Sequence, residues 1–600
     1  MLNTFFKQNY KLFVIASLFL LGFIIYSNSF SSSFHFDDST SITNNTAIRN
    51  IKDLNAIWNF WPTRFITYLT FALNYHFYQL NVFGYHLFNF AVHLCSAILV
   101  WWLLSLTFST SLMKDEKISQ HSKLISFFVA LIFLVHPIQT QAVTYIVQRA
   151  TSLATLFYLL SLSLYVKSRL LQYEKRPSNI WKFYYIGSCI IAILAIFTKE
   201  MTITLPFMFL IYEPCFLKTE KKINWKPIIP FFVILLLIPV TMFVTKSVDF
   251  LEMRRMPEAG PIITPLRYLL TQFKVIVTYL GLLFVPLNQN LDYDYPISKS
   301  FLELPTLASF LFLIIILVIA FRLFAKYRLL SFSIFWFFLT LLPESSIIPI
   351  KDVIFEHRLY LPMVGYSIFL ISIIYYLCQN KNIILMITIL ALIVNFYAPA
   401  TYNRNFDWQD RLVLLNDTIH KSPRKARPYI NRGFLYLNLK EDQKAVSDFD
   451  KALMLYYEKL GIKQSYADTY KEILKTGSGY SEIYNLLAVK FAEIGSYEAA
   501  ALLFKNIIEK NPSGIQAYIN LSALYGDSKR YKEAIAMAKK AIEINPNSAQ
   551  AHYNLSAAYY FDNQYDLAFK HFEIATKLGF KPDPEFSGII EQYRKKHAEH

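Results

Sequence analysis

The chain has 600 residues, of which 54% are hydrophobic and only 17% charged, with a formal net charge of +17. About a quarter of the residues of a soluble domain are charged, and here the apolar residues gather into separate runs between Lys11 and Pro399, so a single soluble fold is excluded. Much of the positive charge lies in short connectors between those runs, where it sets membrane topology, and no nucleic-acid partner is expected.

A crossing helix needs about twenty apolar residues. Taken in chain order, the candidates are 11–27, 86–108, 123–136, 149–168, 181–197, 201–217, 227–246, 304–323, 328–345, 363–378 and 383–400, about 11 spans in all. Basic residues recur in every second connector: Lys7 and Lys11; Lys114, Lys117 and Lys123; Lys167, Arg169, Lys175 and Arg176; Lys218, Lys221, Lys222 and Lys226; Arg322, Lys326 and Arg328; and Lys381. The positive-inside rule makes these connectors cytoplasmic, with the N-terminus inside and the C-terminus outside. Residues 265–285, "PLRYLLTQFKVIVTYLGLLFV", are apolar too, but they lie between loops that this alternation places outside, and Arg267 and Lys274 interrupt them. They are predicted to form an interfacial or re-entrant helix. The first run could alternatively be a signal peptide, although no small-residue cleavage site follows it.

The external loops are then 28–85, 136–149, the turn "TKEMT" at 198–202, 247–303 and 343–362. Asp37, Asp38, Arg64, His86, His136, Arg149, Lys199, Glu200, Glu356, His357 and Arg358 all fall on that one face. Ionisable groups at membrane depth face a cavity or a partner, and both signs on one face point to a site for a charged ligand. Plainer readings exist for each. Asp37 and Asp38, in "FHFDDST", could make an Asx turn or cap a helix. The arginines could snorkel as interfacial anchors. Lys199 and Glu200 could satisfy each other as an ion pair. His86 and His136 could be hydrogen-bonded structural groups, and His136-Pro137 could simply end the third span.

Beyond residue 400 the chain repeats. Ala500, Ala534 and Ala568 keep a spacing of 34, as do Leu487, Leu521 and Leu555, and Tyr497, Tyr531 and Tyr565. Gly433, Tyr436, Ala445, Phe449 and Ala452 fit an earlier unit, a half unit ending at Pro423 precedes it, and residues 457–477 are inserted after it. This period with these positions is the tetratricopeptide signature. The expected organisation is a membrane domain over 1–400 and an external α-solenoid over 401–600, with repeats near 426–459, 481–514, 515–548 and 549–582. A solenoid of this kind presents a concave surface to proteins or peptides.

The stretches 64–93, 136–165, 199–213 and "HRLYLP" at 357–362, followed by the repeats, resemble the transmembrane-and-tetratricopeptide-repeat protein O-mannosyltransferases, which are polyprenyl-phosphate-sugar glycosyltransferases of the GT-C class. The resemblance covers nearly the whole chain. It implies an all-α polytopic GT-C bundle that moves a sugar, possibly mannose, from a polyprenyl-phosphate carrier in the membrane lipid to an acceptor hydroxyl. The acceptor could be Ser or Thr of a protein or peptide bound by the repeats. Asp37 and Asp38 match the family's acidic pair after the first span; Arg64, Thr67 and Thr70 match its Arg-x-x-Thr-x-x-Thr; Tyr85, His86 and His93 match its Tyr-His and trailing His. The chain departs at Gln141, where the family often has Glu, and at Thr151, where it often has Asp, so any role of those carboxylates is not carried over.

The residues suit this chemistry. A carboxylate can take the proton of the attacking hydroxyl, which casts Asp37 or Asp38 as base, with Asp38 slightly favoured. Cations must hold the departing phosphate, a role for Arg64, Arg149, Lys199 and Arg358. His86, His136, Glu200 and His357 are further candidates. No cofactor is expected to be required; a divalent cation beside the acidic pair is the alternative, although the ligand spacing of a zinc site is absent. The competing functions are transfer to a lipid or glycan and a non-catalytic membrane scaffold with a protein-binding solenoid. A transporter is disfavoured because the charges lie on one face and not at mid-bilayer. The location expected is a bacterial inner membrane with the repeats in the periplasm, or in a eukaryote the ER membrane with lumenal repeats.

Overall fold

The computed structural model describes residues 2–173, 179–217, 225–245, 263–350, 352–378, 382–459 and 480–597. Lys175, Arg176, Lys218, Lys221, Lys222, Lys381, loop residues 247–262 and residues 460–477 of the insertion lie outside these. The described residues contain helices and no strand. They fall into two compact units, the first ending at Pro423 and the second starting, after it, at Arg424.

Among the described residues of the first unit, eight helices are long and apolar enough to cross a membrane, and four shorter apolar ones accompany them: Ile180–Ile196, Ile229–Thr245, Arg328–Leu341 and Pro362–Leu377. Eleven of these coincide with the predicted runs, so the chain is a multi-pass membrane protein. Small and hydroxylated residues join the helices where lipid offers no hydrophobic drive. Ser161 and Ser188 exchange hydroxyl-to-carbonyl hydrogen bonds of 2.8 and 2.7 Å between Arg149–Tyr173 and Ile180–Ile196. A Cβ on Gly365 would stand 2.6 Å from the Ser333 carbonyl, so only glycine lets Pro362–Leu377 approach Arg328–Leu341 this closely.

The remaining apolar helix, Pro265–Phe284, is 20 residues and therefore about 30 Å long. In its first turn Tyr268 donates to the Glu344 carbonyl, and further on Gln272 donates to Val353 O and Tyr279 to Phe355 O. In its last turn Leu283 O accepts from the His136 ring. All these partners lie in the connectors around residues 136 and 344–355, so both ends of Pro265–Phe284 are anchored to connectors between helices.

The first unit also continues past residue 400, because Arg411–Lys421 is tied to the loops at Phe34 and Gln289. Arg411 donates to Phe34 O at 2.7 Å, Lys421 to Gln289 O at 2.8 Å, and Asn290 to the Ser422 hydroxyl at 2.8 Å.

In the second unit, helix pairs follow the expected phase: Ala426–Asn438 with Asp442–Lys459, Tyr480–Glu493 with Tyr497–Lys510, Ile515–Asp527 with Tyr531–Ile544, and Ala549–Phe561 with Tyr565–Lys577. Ala500, Ala534 and Ala568 are fully buried, as are Leu487 and Leu521. The same bond recurs one repeat apart: Ser522 Oγ donates to Ala534 O at 2.9 Å and Ser556 Oγ to Ala568 O at 2.7 Å.

Candidate functional site

The two adjacent carboxylates part company. Phe36 has a positive φ of 36°, and the turn it makes sends Asp38 inward and leaves Asp37 exposed. Asp38 is fully buried. Its Oδ2 accepts from His35 N and its Oδ1 from Val147 N, both at 2.8 Å. Burial pushes its carboxyl up to about 7, against the pull of those two donors. Asp38 thus reaches back to close the turn from His35 and pins that turn to the segment at Val147. It has no free face for an acceptor hydroxyl, which corrects the slight preference for it as base. Asp37 keeps the open position; its N–H donates to the Tyr145 hydroxyl at 2.9 Å.

Helix Phe65–Tyr78 is docked on the turn at 198. Ile66 N donates to Phe197 O at 3.0 Å and Thr67 Oγ1 to Thr198 O at 2.9 Å. This docking sets Arg64 against Glu200. The guanidinium forks onto both carboxylate oxygens, with Nη2 3.0 Å from Oε2, while Thr63 adds a bond of 2.9 Å. Lys199 turns the other way. Its ammonium is 2.8 Å from Glu344 Oε1 and 2.9 Å from the Thr151 hydroxyl. The expected Lys199–Glu200 pair is therefore replaced by two pairs, because the extended backbone at Lys199 points neighbouring side chains apart.

Glu344, which sequence reasoning missed, is the centre of the arrangement. Burial alone would push its carboxyl up, but Lys199, Arg358 and Arg64 together hold it below the ordinary value. Arg358 is 3% exposed and donates to the Glu344, Val353 and Asp352 carbonyls. His357 lies in the same field. Burial, then Lys199, Arg358 and Arg64, push its pKa well below the ordinary value. It is 8% exposed, and its Nδ1 has no hydrogen-bond partner. Tyr68 links this cluster to the acidic turn. Burial raises its pKa, its hydrogen bond with Ser41 and the charge of Arg64 lower it, and Asp37 and Glu200 raise it.

The other candidates serve the frame. Arg149 is fully buried between Phe71 and Phe88, with its guanidinium carbon 4.6 and 4.4 Å from their ring centres. Its N–H groups go to Asn89 Oδ1, Thr70 O and Tyr85 O. Each of its nitrogens is bonded within the frame and the side chain is fully buried, which counts against its assignment as a donor ligand. His86 bonds Ser32 O at 2.9 Å and His136 bonds Leu283 O at 2.8 Å, each fastening a loop. Glu356 is 1% exposed and accepts from Gln289 Nε2, Asn290 N and the Tyr293 hydroxyl. Among the described residues no group of three or more His, Cys, Asp or Glu is placed to hold a metal ion.

Tetratricopeptide-repeat models match residues 426–459 and 515–548, and a second such model matches 537–570. Protein O-mannosyl-transferase TMTC3 of Mus musculus is 26% identical over 498 residues, 75% of this chain and 52% of that protein. TMTC3 of Homo sapiens is 25% identical over 499 residues, again 75% and 52%. Tmtc3 of Drosophila melanogaster is 25% identical over 521 residues, 75% and 56%. The chain is related to the TMTC protein O-mannosyl-transferases. It spans about half the length of the curated relatives it matches. Among solved structures, that of YrrB, a TPR protein, is 19% identical, covers 30% of this chain and 97% of its own, and gives a TM-score of 0.18.

Gln141 and Thr151, the two positions at which the resemblance implies a carboxylate, both touch the cluster. Gln141 Oε1 accepts from His357 N at 2.6 Å, and Thr151 is the hydroxyl on Lys199. Lys199 accordingly takes its carboxylate from Glu344.

Proposed function

We propose that the chain is an integral-membrane glycosyltransferase of the GT-C type that moves a sugar from a polyprenyl-phosphate carrier to an acceptor hydroxyl on the external face. The relatives' names support mannose as the sugar and protein Ser or Thr as the acceptor. The tetratricopeptide repeats, which bind proteins or peptides elsewhere, would present that acceptor. The acceptor oxygen attacks the anomeric carbon while Asp37 takes its proton. The bond from the anomeric carbon to the phosphate oxygen breaks, and its electron pair stays on the phosphate. Arg64, Lys199 and Arg358 hold the charge that develops there. These side chains supply the positive charge, so no divalent ion is required. The external face is the periplasm if the membrane is a bacterial inner membrane and the lumen if it is that of the ER.

The observation that carries this reading is the gathering of Arg64, Lys199 and Arg358 around Glu344, with exposed Asp37 beyond Tyr68. The test uses the full chain in membranes with a labelled polyprenyl phosphosugar. Asp37→Asn is expected to cut transfer to protein by roughly 10²–10⁴-fold, with or without EDTA present. Undiminished transfer by that variant overturns the assignment. Label that moves only into lipid or glycan overturns the protein acceptor.

A further inference from the structure

The segment 145–147 meets the two acids of the turn with alternate residues. Val147 N donates to Asp38 Oδ1 at 2.8 Å, and the Tyr145 hydroxyl accepts from Asp37 N at 2.9 Å. One stretch of chain thus buries one acid and grips the other. The grip is not on the backbone alone. Having accepted the N–H, the phenol still carries a proton to donate, and the Asp37 carboxylate is its side-chain hydrogen-bond partner. Burial, then the charges of Asp37 and Asp38, push the phenol well above its ordinary value, so the proton stays on Tyr145. The ring behind this hydroxyl is fixed. It is 4% exposed and lies against the Trp408 ring, with centroids 5.5 Å and planes 28° apart. Trp408 is itself held, because His35 meets its ring edge-on at 5.7 Å and donates from Nε2 to its carbonyl at 2.7 Å.

We propose that Tyr145 is a positioning residue for the base Asp37, aiming its carboxylate at the acceptor hydroxyl. The inference rests on the role of Asp37 proposed above. An exposed aspartate on a turn is free to rotate, and a general base works only within hydrogen-bond reach of the proton it takes. With one Asp37 oxygen on the phenol, the other remains for the acceptor. During transfer the acceptor proton passes to that second oxygen, and Tyr145 keeps its own. Tyr145 therefore acts through the base and not on the reacting carbon. Asp38 belongs to the same device. Its buried carboxylate fastens the turn to Val147, two residues from Tyr145, so that the phenol and Asp37 stay in register. The adjacent acids divide into an anchor and a base, and Tyr145 is what turns the second to its work.

The test uses the full chain in membranes with a labelled polyprenyl phosphosugar, and follows kcat, the donor KM and the melting temperature. Tyr145→Phe keeps the ring on Trp408 and removes only the hydroxyl. It is expected to lower kcat by about 10–100-fold, the cost of a misplaced catalytic group, while the donor KM and the melting temperature stay close to wild type. Placed in Asp37→Asn, the same substitution is expected to add no further loss, because no base is left to aim. Wild-type kcat in Tyr145→Phe overturns the proposal. So does an equal loss in both backgrounds, or a melting temperature that falls in step with activity, since either assigns Tyr145 to the frame; the base assignment survives all three results. If Asp37→Asn alone transfers at the wild-type rate, the base assignment falls, and this inference with it.

Discussion

Two charge clusters stand at opposite ends of helix Arg149–Tyr173, and they are built to different rules. At one end Arg169 meets Glu213 at 2.8 Å, with side chains only 7% and 4% exposed. Tyr165 donates to the same carboxylate, and Gln172 and Tyr173 take the remaining guanidinium N–H groups. Charge is balanced and every direction is filled. At the other end Thr151 meets Lys199, in a cluster with an Arg64–Glu200 pair 29% and 40% exposed and a buried ring nitrogen without a partner. Burial alone does not mark a functional charge, because both clusters are buried. Incomplete satisfaction does.

That contrast can be broken first at the closed cluster. Arg169→Met leaves Glu213 buried without its cation and should cost about 3–5 kcal/mol, read as a lower melting temperature in detergent. Adding Glu213→Gln should restore part of it. Loss of transfer without loss of stability in the single variant would erase the distinction. At the open cluster the signs reverse. Lys199→Met should lower turnover by about 10²–10³-fold with a melting temperature close to wild type, because Glu344 retains water and two guanidinium groups nearby. The smallest effect sharpens the division within the acidic pair. Asp38 is pushed up to about 7 from an ordinary 3.8, so the folded chain holds a proton that the unfolded chain has released. Stability is fully present below pH 4 from this group and declines as pH rises through 7. Asp38→Asn should flatten that slope in a pH series of thermal melts, and Asp37→Asn should not.

Much of this was legible in the sequence. Apolar runs of the right length give the helices, because length and hydropathy are local properties. The spacing of 34 gives the repeats, because each one buries the same Ala and Leu. Arg64, Lys199, His357 and Arg358 stood out in the sequence, and the fold sets Lys199 and Arg358 on Glu344 and Arg64 on Glu200. The roles were less legible, because they depend on what stands opposite. Arg149 has the same sequence credentials as Arg358, yet Asn89, Thr70 and Tyr85 hold it between Phe71 and Phe88, while the carbonyls of Glu344, Val353 and Asp352 hold Arg358. Glu344 reads as an ordinary loop acid in "PESSII" until the fold brings three cations to it. Asp37 and Asp38 are neighbours, and only the backbone turn at Phe36 separates exposed from buried.

Helix Pro265–Phe284 carries a consequence of parity. Its first and last turns are both anchored to connectors, through Tyr268 and through Leu283, and, read from the sequence as interfacial or re-entrant, it stays outside the tally of crossings. Counted with the runs read from the sequence, that leaves eleven candidate crossings, an odd number, which on the topology expected from the basic connectors puts the end of the last run on the other side from the N-terminus. A twelfth would return it to the starting side. A helix that makes no crossing thus decides, by the oddness it preserves, which solution bathes everything encoded after it.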